Sequence, residues 1–300
     1  GFSSIAIGYQ AGQYDQSGGI AIGYQAGCTG QQGGSVAIGE AAGYFTQGVD
    51  AVAIGNSAGG EYQSGNAVAI GPFAGTAYQG LNSVAIGVSA GEIGQGTDSI
   101  AVGYQAGSNT QGPQSIAIGI SSAQTAQGTG SIAIGYQASQ ISQGQQSIAI
   151  GYQAGQTQQS DFAVALGSNA GSVSQGFLGI AVGYQAASLA QGNNSIAVGY
   201  QAGNYTQGEF SVAMGYQAGS ANQQGNAIAI GNGAGGASQQ SNTVAIGSGA
   251  GTNGQGQGSI SIGLAAGNAT QGQNSVAIGY QAGNASQQSG AVAIGYQAGN

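Results

Sequence analysis

The sequence predicts an all-β chain, a parallel β-solenoid (β-roll or β-helix) that completes one turn per sixteen residues, with about nineteen turns in 300 residues. Three observations predict it. An Ile/Val–Ala–Ile–Gly run recurs at a fixed spacing, its residues alternate small and branched, and many of the 64 glycines fall at strict places in the repeat. A repeat of this length is one supersecondary unit per copy, which buries a core only by stacking on its neighbours. One continuous array over residues 1–300 is expected.

The run begins at Ile5, Ile20, Val36, Val52, Val68 and Val84, then every sixteen residues through Val292; only the first spacing is fifteen. Counting each unit from the small residue before the run puts Ser4 at position 1 and Ile5 at position 2. The consensus is S-I-A-I-G-Y-Q-A-G-x-x-x-Q-G-x-x. Positions 1 to 4 alternate as a half-buried strand does, so the branched side chains of positions 2 and 4, Ile116 and Ile118 among them, are expected inside. Val102, Leu166, Val182, Val198 and Met214 are apolar substitutes at position 4. Position 5 is Gly throughout, from Gly8 to Gly295, which calls for positive φ or a backbone approach too close for a Cβ. Position 9 admits Ala123, Ser139 and Ala187, a milder demand. Position 8 is Ala except for Ser122, the mark of a tight inward corner. Position 11 is expected to be half-buried: Phe45, Ile93, Ile141, Val173 and Leu189 are apolar there, while Glu61, Asn109 and Asn253 are polar.

Position 13 is Gln in every unit that reaches it: Gln16, Gln31, Gln47, Gln63, Gln79, Gln95, Gln111, Gln127, Gln143, Gln159, Gln175, Gln191, Gln207, Gln223, Gln239, Gln255, Gln271 and Gln287. A solvated position would drift to Asn, Ser, Thr or Glu. The expected structure is a ladder in which each side-chain amide bonds to its copies one turn up and one turn down. Such a bond is worth roughly 1 kcal/mol net, but an unpaired buried amide costs about 1–3 kcal/mol, which explains the invariance. Two branched side chains per turn supply roughly 3–6 kcal/mol, against on the order of 16–32 kcal/mol to order sixteen backbones. No turn folds alone. With strands about 4.8 Å apart, the expected stack is about 90 Å long.

Lys, Arg, His and Trp are absent, and eight carboxylates are the only charges. Identical columns would set like charges about 4.8 Å apart, repelling by roughly 0.9 kcal/mol even in water. Accordingly Asp15, Glu40, Asp50, Glu61, Glu92, Asp98, Asp161 and Glu209 never share a column in adjacent turns. Without cations there is no phosphate clamp for nucleic acid and no anchor for anionic membranes. No apolar run reaches the roughly 18 residues of a membrane span, so no direct membrane insertion is expected. No catalytic, cofactor or metal site is expected: the serines lack the usual base, and the carboxylates do not cluster at metal-ligand spacing. Cys28, the single cysteine, is expected to be a surface residue at one turn, the alternative being a link between chains. The sequence reads as a window of a longer chain, with any targeting segment outside it.

The runs Ser35-Val36-Ala37-Ile38-Gly39, Ser83-Val84-Ala85-Ile86-Gly87 and Ser275-Val276-Ala277-Ile278-Gly279 resemble the SVAIG core of trimeric autotransporter adhesin head repeats. The resemblance covers nearly the whole chain. It implies a left-handed parallel β-roll, trimeric, displayed on a surface for attachment. The family's repeat is nearer fourteen residues, and Tyr-Gln-Ala-Gly and the Gln column are additions. More loosely, the Gly-Tyr-Gln-Ala-Gly form is similar to repeats in surface-fibre proteins of large algal viruses and phages.

A self-assembling extracellular or virion-surface fibre is the leading functional expectation. The repeat runs almost from end to end without polar caps, and uncapped strand edges invite another chain. Copies of the chain itself, as a homo-oligomer or filament, are the expected partner. The small residues at positions 1 and 3 are the candidate association face, with Ala101, Ala117, Ala133, Ala149 and Ala181 admitting a second protomer. A surface adhesin is the second reading, with positions 10–12 meeting a surface glycan or host receptor. Ice binding by the small-residue face is the third. Position 6 is Tyr in ten of nineteen units, either a stacking ladder or an aromatic strip for sugars or a neighbouring filament. Sequons at Asn193, Asn204, Asn268 and Asn284 are chance occurrences in so Asn-, Ser- and Thr-rich a chain, or sites of glycosylation if it is exported.

Overall fold

The structure, a computed structural model, describes residues 4–299, and these form strands and turns without a helix. It divides into two compact units, residues 1–147 and 148–300, each a parallel β-solenoid built from the same repeat.

In the first unit, positions 2 to 4 of successive turns form the strands of one wall, from Ile5–Ile7 to Ile132–Ile134. Like residues stand over like: Ile100 pairs with Ile116, Ala101 with Ala117 and Val102 with Ile118. Positions 11 to 13 form a second parallel wall, including Phe45–Gln47, Asn109–Gln111 and Thr125–Gln127, with Gln111 opposite Gln127. The second unit repeats the first wall from Ile148–Ile150 to Val292–Ile294. Its second wall has strands only as far as Thr206–Gln207, after which single bridges join Gln207 to Gln223 and so on to Gln287. The thinning follows residue type. Positions 11 and 12 are Ala221-Asn222, Ala237-Ser238 and Asn253-Gly254 in that stretch, poor strand formers beside Ile93, Ile141 or Val173.

The corners explain the strict columns. Gly119 at position 5 has φ +125°, and a Cβ on it would lie 2.4 Å from the carbonyl oxygen of Gly135 one turn on. Conformation and space both require Gly. Position 9 is left-handed too, but Ala123 and Ser139 adopt φ 44° and 43° there, within reach of an L residue. Position 16 is left-handed at Asp50, Asn66, Asn82, Asp98 and Asn194, with φ between 54° and 56°. Asn and Asp tolerate that region best among residues with a Cβ.

The two faces of the first wall are opposite to the expectation. Ala117 is fully buried, Ser115 likewise, whereas Ile118 is 38% exposed and Ile116 is half-buried. The interior holds positions 1, 3, 8 and 13, and its largest fully buried side chains are all glutamines. Space is the reason. A single Gln side chain reaches from one wall to the backbone of the other, as Gln31 does to the Ile20 carbonyl oxygen at 2.8 Å, and a gap that narrow takes Ala and Ser opposite it but no layer of Ile.

Candidate functional site

The glutamines of position 13 fill the space between the walls. From Gln31 to Gln287 each donates from Nε2 to the carbonyl oxygen of its own turn's position 2, for example Gln111 to Ile100 and Gln175 to Val164, both at 2.8 Å, whereas Gln16 donates to the Gly19 carbonyl oxygen at 3.3 Å. In the first unit Nε2 also donates to the next turn's Oε1 from Gln16 to Gln31 at 2.8 Å, Gln63 to Gln79 at 3.0 Å and Gln79 to Gln95 at 3.1 Å. In the second unit a run of these bonds joins Gln191, Gln207, Gln223, Gln239 and Gln255 at 3.1–3.4 Å. The column is not bonded throughout: Gln63, Gln111, Gln127 and Gln191 each keep a buried Oε1 without a donor. Between Gln255 and Gln271 a hydroxyl intervenes. Gln255 donates to Ser261 Oγ at 3.2 Å, and Ser261 donates to Gln271 Oε1 at 2.7 Å. Ser261 is the one residue other than Ala at position 3.

The candidate association residues Ala101, Ala117 and Ala133 of the first unit, and Ala149 and Ala181 of the second, are 0% exposed. They form the inner lining and cannot meet another molecule. The outward surface of the same strands is made by the flanking columns: Ile38, Ile86 and Ile118 in the first unit and Ile150, Met214 and Ile246 in the second are each 36–41% exposed. Positions 2 and 4 carry no polar or charged residue, so each unit presents a continuous aliphatic face. Monomeric soluble proteins rarely expose such a face. The sequence held a signal for it. Position 3 never exceeds Ser in size, as at the inward position 8, whereas position 4 varies from Val to Met.

Beside this face the tyrosines of position 6 are both stacked and exposed. Tyr184, Tyr200 and Tyr216 lie 5.2 and 5.0 Å apart with ring planes 15° and 6° from parallel, and they are 46%, 43% and 50% exposed. Next to them Gln201 donates to Gln185 at 2.8 Å and Gln217 to Gln201 at 3.0 Å, an outer amide ladder at position 7.

Position 11 turns outward rather than half inward: Phe45, Ile93, Ile141, Val173 and Leu189 are 38–49% exposed. The left-handed residue at position 12, with φ 51° at Thr46 and 52° at Ser174, breaks the alternation that would place positions 11 and 13 on one side. Cys28, expected at the surface, is 5% exposed with Sγ 3.8 Å from Gln13 Oε1. Among the sequons, Asn204 is 8% exposed and accepts a hydrogen bond from Ser188 Oγ, so it is closed to a glycan. Asn193 is exposed and donates to Glu209 at 3.2 Å. Among the described residues no three His, Cys, Asp or Glu side chains form a group that could hold a metal, and no helix is long and apolar enough to cross a membrane.

A family model described as YadA head domain repeat (2 copies) matches residues 64–90, 95–122, 125–139, 142–155, 174–202, 207–234 and 271–298, more than half of the chain. No curated protein matches it.

Proposed function

This chain belongs to the YadA head domain repeat family, an adhesin family rather than an enzyme family, and from that premise we infer that it is a surface-displayed adhesin whose working form is a homo-oligomer. The aliphatic face of positions 2 and 4 carries this reading. A second copy of the chain offers the same columns at the same spacing, so two or more faces can mate turn by turn without unpaired charge. The resemblance to trimeric adhesin heads makes three copies the expected number. Covering that face turns the variable positions 10–12, on the other wall, toward whatever the adhesin binds.

Lateral association through the same face would also build a fibre on a cell or virion surface. Ice binding loses its support, because the small-residue columns it needs line the interior: Ser115 and Ala117 are both 0% exposed. Light scattering from the purified chain at micromolar concentration tests the reading. A mass fixed at a small multiple of one chain supports the closed oligomer, and a mass that climbs with concentration supports the fibre. The mass of a single chain would remove both.

A further inference from the structure

We propose that the second wall of the first unit carries a binding site for a neutral oligosaccharide, with the outer ring face of Tyr78 as its stacking platform. The proposal rests on the adhesin reading in one respect only, that the chain is displayed where glycans are met.

Position 12 along this unit reads Asp15, Gly30, Thr46, Tyr62, Tyr78, Gly94, Thr110, Ala126 and Ser142. The backbone is left-handed there, with φ 53° at Tyr62 and 57° at Tyr78. Gly suits that conformation best, whereas a β-branched or bulky residue in it is a conformational outlier, and such outliers gather at functional sites. Two consecutive tyrosines are kept against that preference.

The two rings are exposed, 45% for Tyr62 and 62% for Tyr78, and they stack with centroids 5.4 Å apart and planes 7° from parallel. Phe45 meets Tyr62 from the other side, edge-on at 5.4 Å. The ladder then stops. Gly94 is the next residue in the column, and, its chain neighbours Ile93 and Gln95 aside, a Cβ there would meet only the Thr110 Cα, at 3.9 Å. Tyr78 therefore has one face against Tyr62 and the other toward a rung that carries no side chain at position 12. A flat ligand with an apolar face can continue the stack at that point.

On the Tyr62 side of the stack, away from Gly94, runs a groove with a cavity volume of about 400 Å³, lined by Gln32, Thr46, Val49, Tyr62 and Ser64 among others but not by Tyr78. That is within the roughly 300–1,000 Å³ of small-molecule sites. Its polar groups are amides and hydroxyls, which both donate and accept. An oligosaccharide, rather than a single pyranose, can use both platform and groove: one ring lays its C–H face on Tyr78 while rings further along the chain, past the edges of the stack, place their hydroxyls against the neutral donors and acceptors of the groove. The charge balance selects among sugars. The chain has no Lys, Arg or His, and the charges around the rings and groove in sequence, Asp50, Glu61 and Glu92, are carboxylates, so an acidic glycan gains no ion pair and meets like charge.

Saturation-transfer NMR and titration calorimetry on the full chain test this with neutral hexasaccharides of β-1,4-glucose and α-1,6-mannose, an oligogalacturonate and a chitosan hexamer. The expected result is saturable binding of a neutral hexasaccharide with transfer from tyrosine ring protons. Tyr78→Gly, which places the residue already found at Gly30 and Gly94, should weaken it at least tenfold, while Tyr216→Ser leaves it unchanged. Light scattering on the same samples separates this from the assembly reading, since Tyr78→Gly should not alter the mass. The proposal is overturned if no neutral hexasaccharide binds, if Tyr78→Gly binds as well as the unmodified chain, or if only the acidic or the cationic oligomer binds.

Discussion

Gln127 donates from Nε2 to the carbonyl oxygen of Ile116 at 2.8 Å, so one amide side chain joins the two walls of a turn. The same nitrogen donates to Gln143 Oε1 at 3.2 Å, and both acceptors belong to the buried interior. Gln127→Leu should destabilise by about 1–3 kcal/mol, the cost of leaving buried acceptors unpaired. Gln127→Glu should cost more, because a carboxylate would face two oxygens in a dry gap. Burial and those oxygens raise the introduced carboxyl's pKa in the folded state above its unfolded value. The neutral acid can donate, so the variant should be most stable below about pH 4.3 and lose that stability as pH rises through the folded-state pKa. Urea unfolding at acidic and neutral pH measures this; equal tolerance of Leu and Glu at neutral pH would mean a solvated column.

Gly119 and Gly130 are both glycines at positive φ, yet they should respond oppositely to substitution. A Cβ on Gly119 would lie 2.4 Å from Gly135 O, whereas on Gly130, at φ +65°, it would make an ordinary 3.5 Å contact with Gln146 Cγ. Gly119→Ala should cost about 3 kcal/mol or more. Gly130→Asn should stay within about 1 kcal/mol of the unmodified chain, since Asn66 and Asn82 hold φ 56° and 55° at the same position. Paired thermal melts decide it.

Ser261 is a tolerated interruption rather than a requirement. Removing its hydroxyl should let Gln255 bond directly to Gln271, as Gln239 does to Gln255 at 3.1 Å. Ser261→Ala should therefore be neutral or stabilising by up to about 1 kcal/mol. A loss of more than that would show that the hydroxyl relay is needed.

Cys28 should react slowly with a thiol-specific disulfide reagent in the folded chain, being 5% exposed, and fully once urea unfolds it. Fast reaction without denaturant would place its turn open to solvent.

These predictions draw on features of unequal legibility. The period, the position 5 glycines and the identity of the Gln column can be read directly, because each stack repeats one local environment and admits few residue types. Which face of the first wall points inward is harder to read, since alternation fits either choice. Ile116 and Ile118 look like core by hydrophobicity, but the interior is only one Gln side chain deep, and that depth depends on where the corners fall. The outward turn of Phe45 and Ile93 depends on a left-handed residue at position 12, where Thr, Tyr, Gly, Ala and Ser all occur and give no common signal. The Tyr62–Tyr78 ladder with its open end at Gly94 emerges only once the turns are stacked in register.

The most direct test of the exposed aliphatic face is sedimentation velocity of an Ile118→Lys, Ile230→Lys double variant beside the unmodified chain at micromolar concentration. Ile118 and Ile230 are 38% and 37% exposed, while Ala117, next to Ile118, is 0% exposed. Lysines at the exposed positions should leave the turns folded and charge the interface, whereas Ala117→Lys should unfold its turns by burying a charge. The expected result is an oligomer for the unmodified chain and a folded single chain for the double variant. A single chain in both samples, or an undiminished oligomer in the double variant, would contradict assembly through the Ile and Val columns.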